Sequence, residues 1–402
     1  MDNQTFEIKI GGCTDCTNCG LCNKGKLNPD VVTETSGKSK QYDFSGIEEG
    51  KDERIVAVDL GTTTIAMFLI DASSGEQLGV FTSLNPQREF GADVISRVSA
   101  AEAGKAEEMR SSIRECILNG VEQVSKGCKP KLIVISGNTV MVHLFLGWST
   151  DSLGKYPFTP VSTEAVIDIL GGIKTFIMPG ISAFAGGDTV SGIFTGKMHK
   201  NKEITMLIDL GTNAEMAVGN KDRILVTSAA AGPAFDMKVY GANLIKAVAG
   251  LLDKRIIDET GCLQDEYFEQ GADFEGIHVT NGEIRSLQSA KAAVACAVEM
   301  MLSKYGCGYE DVSKVYLAGG LAFYLDLDSA FRIGLLPEQF KGKAEICGNT
   351  SLEGACKVAE GMSKDIDALD RELKSIVALS EYFDLAAEDK FNEEYINHMN
   401  FS

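Results

Sequence analysis

Two short segments of this chain repeat the same four residues at the end of an apolar run. DLGTTT begins at Asp59 and DLGTN begins at Asp209. Glycine allows a tight turn with positive φ, and successive backbone N–H groups around such a turn form a concavity that binds anions. An aspartate at a strand end suits hydrated Mg²⁺, which keeps several waters and takes few carboxylates. Each segment is therefore a candidate half of a Mg²⁺–triphosphate site.

The residues around the two aspartates supply the remaining groups of such a site. Hydroxyls and an amide would bind phosphate oxygens, and the glycines would admit the phosphates close to the backbone. These residues are Gly61, Thr62, Thr63, Thr64, Gly211, Thr212 and Asn213. Asp-Gly alone also marks an ordinary hairpin turn. Two copies in matched contexts, with a third glycine-rich strand end at Gly319 and Gly320, favour a binding site.

The elements that carry both segments follow one pattern. RIVAVDLG, TTTIAMFLID and QLGVFTSLN are predicted strands, and ITMLIDLGT, NAEMAVGN and RILVTSAAAG repeat them. Helices are predicted around 91–126, 239–252 and 286–304 from apolar residues at helical spacing. KLIVISGNT and KVYLAGG are further strands, and the last forty residues are predicted to be helical, with LKSIVALSEYFDLAAEDKF amphipathic. The sequence therefore predicts a duplicated α/β body whose two halves face each other.

Four cysteines crowd into CTDCTNCGLC near the start of the chain, at Cys13, Cys16, Cys19 and Cys22. The spacing C-x2-C-x2-C lets a short loop wrap one cubane, as in bacterial ferredoxin runs. Zinc usually takes two knuckles separated by a longer loop, so the spacing favours iron–sulfur and leaves structural zinc as the alternative. We predict a cysteine-rich module over 1–25, a linker over 26–52, and two halves over 53–185 and 186–402.

The composition limits the partners. The chain has 402 residues and a formal net charge of −19, with 57 acidic and 38 basic residues. Such a surface repels phosphate backbones, which argues against a nucleic-acid partner. No apolar run reaches transmembrane length, and MDNQTFEIKI lacks signal-peptide architecture, so we predict a cytoplasmic protein without a membrane partner. The oligomeric state stays open, a homodimer included.

Three of these segments resemble the motifs of the actin-like ATPases. DLGTTTIAMFLID is similar to the first phosphate motif of that superfamily, DLGTNAEMAVG to the second, and VYLAGGLA to the adenosine motif. The resemblance covers residues 54–362. It implies two ribonuclease-H-like halves with ATP and Mg²⁺ in the cleft between them. It also implies that Gly319 and Gly320 lie close to adenosine.

Asp188, in GGDTVSG, precedes the second phosphate motif as a general base does in related sugar kinases. We expect it to orient an attacking water or a substrate hydroxyl; the alternative is a helix N-cap. Four other conspicuous residues are expected to take no part in the chemistry. His143 is predicted to be a core or interdomain histidine, Arg88 and Arg97 surface or interdomain pairing groups, and Lys291 a solvated helix residue.

Further blocks resemble the reductive activators of corrinoid proteins, in which an iron–sulfur module is joined to an actin-like ATPase domain. They are NPQREFGADVISRV, SGNTVMVHLFLG, YPFTPV and TSAAAGPAFD, the last of which contains Gly232, a further candidate for the nucleotide site. Well-known members carry a larger N-terminal domain with a plant-type [2Fe–2S] cluster. This chain has a short cysteine segment instead, so we expect a [4Fe–4S] cluster.

The resemblance implies ATP-dependent reduction of a Co(II) corrinoid protein of a methyltransferase system, with the electron coming from a low-potential donor protein. Three alternatives remain open at this point. The first is an activator of another iron–sulfur enzyme, of the dehydratase or double-cubane type. The second is a small-molecule kinase with Asp188 as base and structural zinc on the cysteines. The third is a non-catalytic nucleotide sensor or scaffold with a zinc knuckle.

Overall fold

The computed structural model describes residues 54–232, 234–235 and 238–401, together with the backbone of two short antiparallel strands, Cys22–Asn23 and Lys26–Leu27. The predicted cluster ligands Cys13, Cys16 and Cys19 and most of the predicted linker lie outside the described residues. In the part of the chain that is described, no helix is long and apolar enough to cross a membrane.

The first DLGT segment joins two strands of a six-stranded sheet. Its strands are β1 (Arg54–Leu60), β2 (Thr64–Asp71), β3 (Glu76–Leu84), β4 (Leu132–Gly137), β5 (Val166–Leu170) and β6 (Ile173–Ile177), in the spatial order β3-β2-β1-β4-β6-β5. β1 pairs antiparallel with β2 and parallel with β4. β1, β2 and β4 are buried on both faces, which explains their almost unbroken apolar sequences.

The second DLGT segment has the same place in a second six-stranded sheet. Its strands are β7 (Ile204–Leu210), β8 (Ala214–Gly219), β9 (Ile224–Ala229), β12 (Val312–Ala318), β13 (Ala344–Gly348) and β14 (Ser380–Tyr382), in the order β13-β12-β7-β8-β9-β14. β7 again pairs antiparallel with the next strand and parallel with a later one. β10 (Ala272–Phe274) and β11 (Ile277–Val279) form a separate hairpin. The predicted duplication is confirmed.

Helices cover both sheets and fill the space between them. Before β7 the chain forms α1 (Val94–Ala100), α2 (Ala106–Ser125), α3 (Thr139–Leu146) and α4 (Gly187–Thr195), the last of which begins just past the predicted end of the first half. The second half carries α5 (Lys238–Asp253), α6 (Asn281–Tyr305), α7 (Gly320–Tyr324), α8 (Leu327–Arg332), α9 (Thr350–Lys364), α10 (Ile366–Leu379) and α11 (Phe391–Asn397). One buried cluster joins residues of both sheets with α4, α9 and α10, so the halves share a core.

The C-terminal prediction was wrong in one respect. LKSIVALSEYFDLAAEDKF is not a single amphipathic helix, because α10 ends at Leu379 and the next three residues form β14. β14 adds in parallel to the exposed edge of β9. A free sheet edge leaves backbone donors and acceptors unpaired, and this pairing outweighs the helical pattern.

Lys291 was also predicted wrongly. It is 2% exposed on α6, and its ammonium donates to the Asn400 carbonyl, which ties residues 399–401 to the helix. Gln288, one turn earlier, donates to the Met399 carbonyl at 2.9 Å. The small residues of SAKAAVACAV admit this close packing, so the lysine is a structural anchor rather than a solvated side chain.

Burial lowers the pKa of Lys291 to about 8. The unfolded chain therefore holds more protons than the folded one between about pH 8 and the ordinary lysine pKa of about 10.4, and stability rises with pH across that window. We expect Lys291→Met to remove this rise, measured as the difference in unfolding free energy from the wild type at pH 7 and pH 9.5. Lys304→Met, at an exposed position on the same helix, is the matched control and should leave the pH dependence unchanged. A wild type and a Lys291→Met variant with parallel pH profiles would contradict the assignment.

Candidate nucleotide site

A single cleft between the two sheets brings together most of the predicted site residues. It is lined by Asp59, Gly61, Thr62, Thr63, Thr64, Asp188, Asp209, Gly211, Thr212, Asn213, Gly319 and Gly320. Gly232 does not line the cleft but supports it, since its N–H donates to the Thr212 carbonyl at 3.2 Å. The two DLGT turns meet across the cleft, where the hydroxyl oxygens of Thr63 and Thr212 are 3.4 Å apart.

Asp59 is held by the other half of the molecule. Asn349 is the N-cap of α9 and donates from Nδ2 to Asp59 Oδ2 at 2.9 Å, while Ser351 Oγ donates to Asp59 Oδ1 at 2.7 Å. Ser351 Oγ is in turn 2.9 Å from Ser136 Oγ, which is 2.9 Å from Ser191 Oγ. This chain of hydroxyls links β4, α4 and α9 directly beneath the carboxylate.

Asp188 lies in the first turn of α4, whose N-cap is Gly186. The N-cap alternative for Asp188 is therefore excluded. Its Oδ1 accepts the N–H of Thr189 at 2.7 Å, and its carboxyl faces the cleft. Burial, together with the nearby Asp59 charge, raises the pKa of Asp188 to about 6. A carboxyl with this pKa is suited to accepting a proton near neutral pH.

Glu215 is a fourth cleft carboxyl that the sequence reasoning missed. It lies directly opposite Asp209 in the β7–β8 ladder, so the two side chains project from the same face. Burial, with the charges of Asp188 and Asp209, raises the pKa of Glu215 well above its usual range. The corresponding partner of Asp59 in the first half is Ala66, so the acid belongs to the second half alone.

Asn138 and Asn349 were missed as well. Both line the cleft, and each caps the helix that follows a strand. A signal was present in the sequence, because Gly-Asn-Thr occurs at 137–139 and again at 348–350, once in each half. Among the described residues, no three His, Cys, Asp or Glu side chains converge as direct ligands of a metal ion.

His143 and Arg97, which were predicted to take no part in the chemistry, both have structural roles near the cleft. His143 is fully buried, as predicted for a core residue. Its Nδ1 donates to the Thr139 carbonyl, and its Nε2 accepts the Val161 N–H. Burial lowers the pKa of His143, so the ring is neutral.

The prediction for Arg97 was wrong. Arg97 is completely buried beneath the first DLGT turn, where Nη2 donates to the Thr62 carbonyl at 2.6 Å.

The glycine-rich end of β12 packs directly on the second aspartate. Gly319 has φ of +92°, and a Cβ there would lie 2.4 Å from Asp209 Oδ1 and 2.5 Å from the Leu210 carbonyl oxygen. The position therefore requires glycine for two reasons, a left-handed backbone and contact with the site aspartate. This contact places the third motif beside the second DLGT turn.

We expect Gly319→Ala to destabilise the protein by about 2–4 kcal/mol, because positive φ and overpacking each cost about 1–3 kcal/mol. Gly306→Ala is the matched control: Gly306 has a similar φ of +89°, but nothing lies within 4 Å of its added Cβ. The difference between the two unfolding free energies, measured by denaturant titration, isolates the clash with Asp209. An equal loss of unfolding free energy in both variants would show that the close packing against Asp209 does not contribute to the cost of the substitution.

Two similar halves, a cleft between their DLGT turns and a glycine-rich third motif define this chain as an actin-like ATPase. The family model described as the RACo middle region matches residues 55–201, and the model described as the C-terminal domain of RACo, the ASKHA domain, matches residues 203–240 and 237–402. The chain therefore belongs to the family of reductive activators of corrinoid proteins.

Individual relatives agree with this assignment. The corrinoid activation enzyme RamQ of Eubacterium limosum is 28% identical over 86% of this chain and 70% of its own length. A Methanosarcina barkeri protein, the [Co(II) methylated amine-specific corrinoid protein] reductase, is 22% identical over 86% of this chain and 76% of its own. A solved reductive activator for corrinoid, iron–sulfur protein matches with a TM-score of 0.75 and 29% identity, over 88% of this chain and 67% of its own.

Proposed function

We propose that this protein is an ATP-dependent reductive activator that returns the Co(II) corrinoid of a partner protein to Co(I). The observation that carries the proposal is the convergence of both DLGT turns, with four carboxyl side chains, on one cleft in a chain that belongs to the reductive activators. Two relatives named for corrinoid activation and Co(II) corrinoid reduction give the direction of the reaction.

The turns would grip the phosphates of ATP from both sides. Thr62, Thr63, Thr212 and Asn213 would donate to phosphate oxygens, while Gly319 and Gly320 would admit the adenosine. Asp59 and Asp209 would hold Mg²⁺ through its water molecules, since Mg²⁺ keeps several waters. Magnesium would supply charge neutralisation on the phosphates. The clustering of carboxyls in the cleft fits this cation, because the charges of Asp188 and Asp209 lie close enough to Glu215 to raise its pKa.

Nucleotide binding would move the two halves relative to each other. The Thr63 and Thr212 hydroxyls are 3.4 Å apart, a separation that leaves no room for a phosphate group between them. A ligand shifts a conformational equilibrium by its difference in affinity for the two states. ATP would therefore favour separated turns, and its hydrolysis would let them return. This movement would couple the nucleotide state to the position of the cysteine module.

Asp188 would orient the attacking water and accept its proton. Its pKa of about 6 leaves it ionised at neutral pH while keeping it basic enough for that task. The first-turn N–H of Thr189 holds one carboxyl oxygen and so fixes the direction of the other. In the kinase alternative, Asp188 would instead accept the proton of a substrate hydroxyl. The two reactions therefore differ in the nucleophile, which is water for hydrolysis and a small-molecule substrate for phosphorylation.

Cys13, Cys16, Cys19 and Cys22 would hold an iron–sulfur cluster, for which we favour [4Fe–4S]. Such a cluster supplies one-electron transfer at low potential. Five of the seven other cysteines are less suited to ligation, because burial raises the pKa of their thiols and favours the protonated form; they are Cys116, Cys296, Cys307, Cys347 and Cys356. A low-potential donor protein would reduce the cluster, and the corrinoid protein would receive the electron. We place the reaction in the cytoplasm.

The decisive experiment uses the anaerobically purified full chain with a Co(II) corrinoid protein, a strong reductant and MgATP. Formation of Co(I), followed by its visible absorption, is expected with ATP and not with ATP omitted or replaced by a non-hydrolysable analogue. Co(II) reduction that proceeds equally well with and without ATP would contradict the proposed coupling of ATP hydrolysis to electron transfer. ATP-dependent phosphorylation of a sugar or carboxylic acid, with cobalt unchanged, would instead establish the kinase alternative.

A further inference from the structure

The two DLGT turns are related by the internal duplication, but their surroundings differ. The first turn, residues 61–64, has four residues between the paired positions Leu60 and Ile65. The second, residues 211–213, has three between Leu210 and Ala214. Behind the first turn lie the buried side chains of Asn85 and Arg97, whereas the second turn has Glu215 beside Asp209. One turn is thus backed by a cation and the other carries an additional acid.

The carbonyl groups of the first turn are tied from behind, one after another. Asn85 Nδ2 donates to the Gly61 carbonyl at 2.8 Å, Arg97 Nη2 to the Thr62 carbonyl at 2.6 Å, and the Asn85 backbone N–H to the Thr63 carbonyl at 3.0 Å. Asn85 and Arg97 both belong to the NPQREFGADVISRV block. That block therefore has a physical task, which is to fix three consecutive peptide groups.

Both side chains that tie the turn are themselves fixed. The Asn85 amide is 1% exposed, and its Oδ1 accepts the Gln87 N–H at 2.9 Å, which leaves Nδ2 as the end that faces Gly61. The Arg97 guanidinium is fully buried on α1, and its Nε donates to the Gly91 carbonyl at 3.0 Å. Buried donors with satisfied partners hold one geometry, so the turn is preorganised.

In a planar trans peptide, the N–H points away from the C=O of the same peptide group. Tying the carbonyls of Gly61, Thr62 and Thr63 on the far side therefore turns the N–H groups of the next three residues, Thr62 to Thr64, toward the cleft that these threonines line. Three consecutive N–H groups facing one space make an anion-binding concavity. The hydrogen bond from Arg97 also polarises the Thr62–Thr63 peptide, which strengthens its N–H as a donor.

We infer that the two turns are specialised differently: Asn85 and Arg97 preorganise the first turn for the nucleotide phosphates, whereas the second turn, which also contacts the phosphates, has Glu215 beside Asp209 as an additional acid on the magnesium side. Arg97 is a positioning residue, because it acts on the phosphates through the Thr62–Thr63 peptide rather than by contact. The inference rests on the proposed function, since it takes a nucleotide as the ligand of the cleft.

The test compares Arg97→Met with Arg97→Lys, and uses ATP, ADP and adenosine as probes in equilibrium binding. Arg97→Met should weaken ATP and ADP by roughly 10- to 100-fold, the range of one charge-assisted hydrogen bond, while adenosine affinity changes less than about twofold. Arg97→Lys keeps the charge and should recover a substantial part of the loss. Arg88→Met is the matched control, because Arg88 is an exposed member of the same block.

A second arm tests the other turn. Glu215→Gln should raise the Mg²⁺ concentration needed for half-maximal ATP hydrolysis several-fold and leave the metal-free affinity for ATP unchanged. Equal loss of adenosine and ATP binding in a folded Arg97→Met variant would overturn the inference, as would unchanged ATP affinity. A wild-type protein that binds adenosine and ATP equally, or neither, would contradict the proposed function itself, so the two failures are distinguishable.

Discussion

Replacing Asp188 by Asn is expected to lower ATP hydrolysis by roughly 100- to 10,000-fold, the usual contribution of a positioned general base. The amide keeps the size of the carboxyl but cannot accept a proton from water. Affinity for MgATP should change little, because the carboxyl lies in the first turn of α4 rather than on either DLGT turn. The measurement is steady-state phosphate release, with nucleotide affinity determined separately.

Stability provides the internal check on this variant. Since burial raises the pKa of Asp188, keeping its carboxylate ionised at neutral pH costs the folded protein free energy relative to the unfolded chain. A neutral Asn removes that cost, so the unfolding free energy at pH 7 should be equal to or above that of the wild type. Asp367→Asn, in the exposed first turn of α10, is the matched control and should hydrolyse ATP normally. Hydrolysis within a few-fold of the wild type in Asp188→Asn would exclude the role of base.

Replacing Cys16 by Ser is expected to abolish Co(II) reduction and to remove the brown colour that the proposed cluster would give the anaerobically purified protein. A serine hydroxyl is a poor ligand for iron compared with a thiolate, and Cys16 belongs to both of the C-x2-C-x2-C runs that the four cysteines contain. ATP hydrolysis should stay within about twofold, because the described residues that line the cleft begin at Asp59, more than forty residues after Cys16. Iron content, visible absorption and phosphate release are measured on one preparation.

Cys128→Ser is the control for this experiment, since Cys128 is a half-buried single cysteine in the loop before β4. It should retain full iron content and full reduction. If Cys16→Ser keeps both colour and corrinoid reduction, the four cysteines are not the electron-transfer site. A wild-type protein that contains zinc and no iron would contradict the proposed redox function and would favour the kinase alternative.

The sequence alone was sufficient to predict the main strands, turns and helices of the two halves. Both DLGT turns, the strands on either side of them and the helices α5 and α6 are close to the predicted bounds. These features depend on short-range physics, since apolar periodicity sets strand or helix and glycine sets the tight turn. The duplication was visible because each half repeats the same local signals in the same order.

What the sequence could not supply were the contacts between residues far apart in the chain. Glu215 is a cleft acid because its register opposite Asp209 turns it inward, and nothing local distinguishes it from a solvated strand residue. Arg97 and Lys291 carry charges, which usually lie on surfaces, and each is buried because a distant carbonyl accepts its hydrogen bonds.

The sequence by itself thus determined the class of fold, the two phosphate turns and the cysteine module as candidates for chemistry. The tertiary structure decided which carboxyls share the cleft, that Asn349 and Ser351 hold Asp59 from the opposite half, and that Arg97 lies under the first turn. The reason is physical: local backbone preferences act over a few residues, whereas the position of a buried polar group is set by whichever partner the packed core brings within hydrogen-bonding distance.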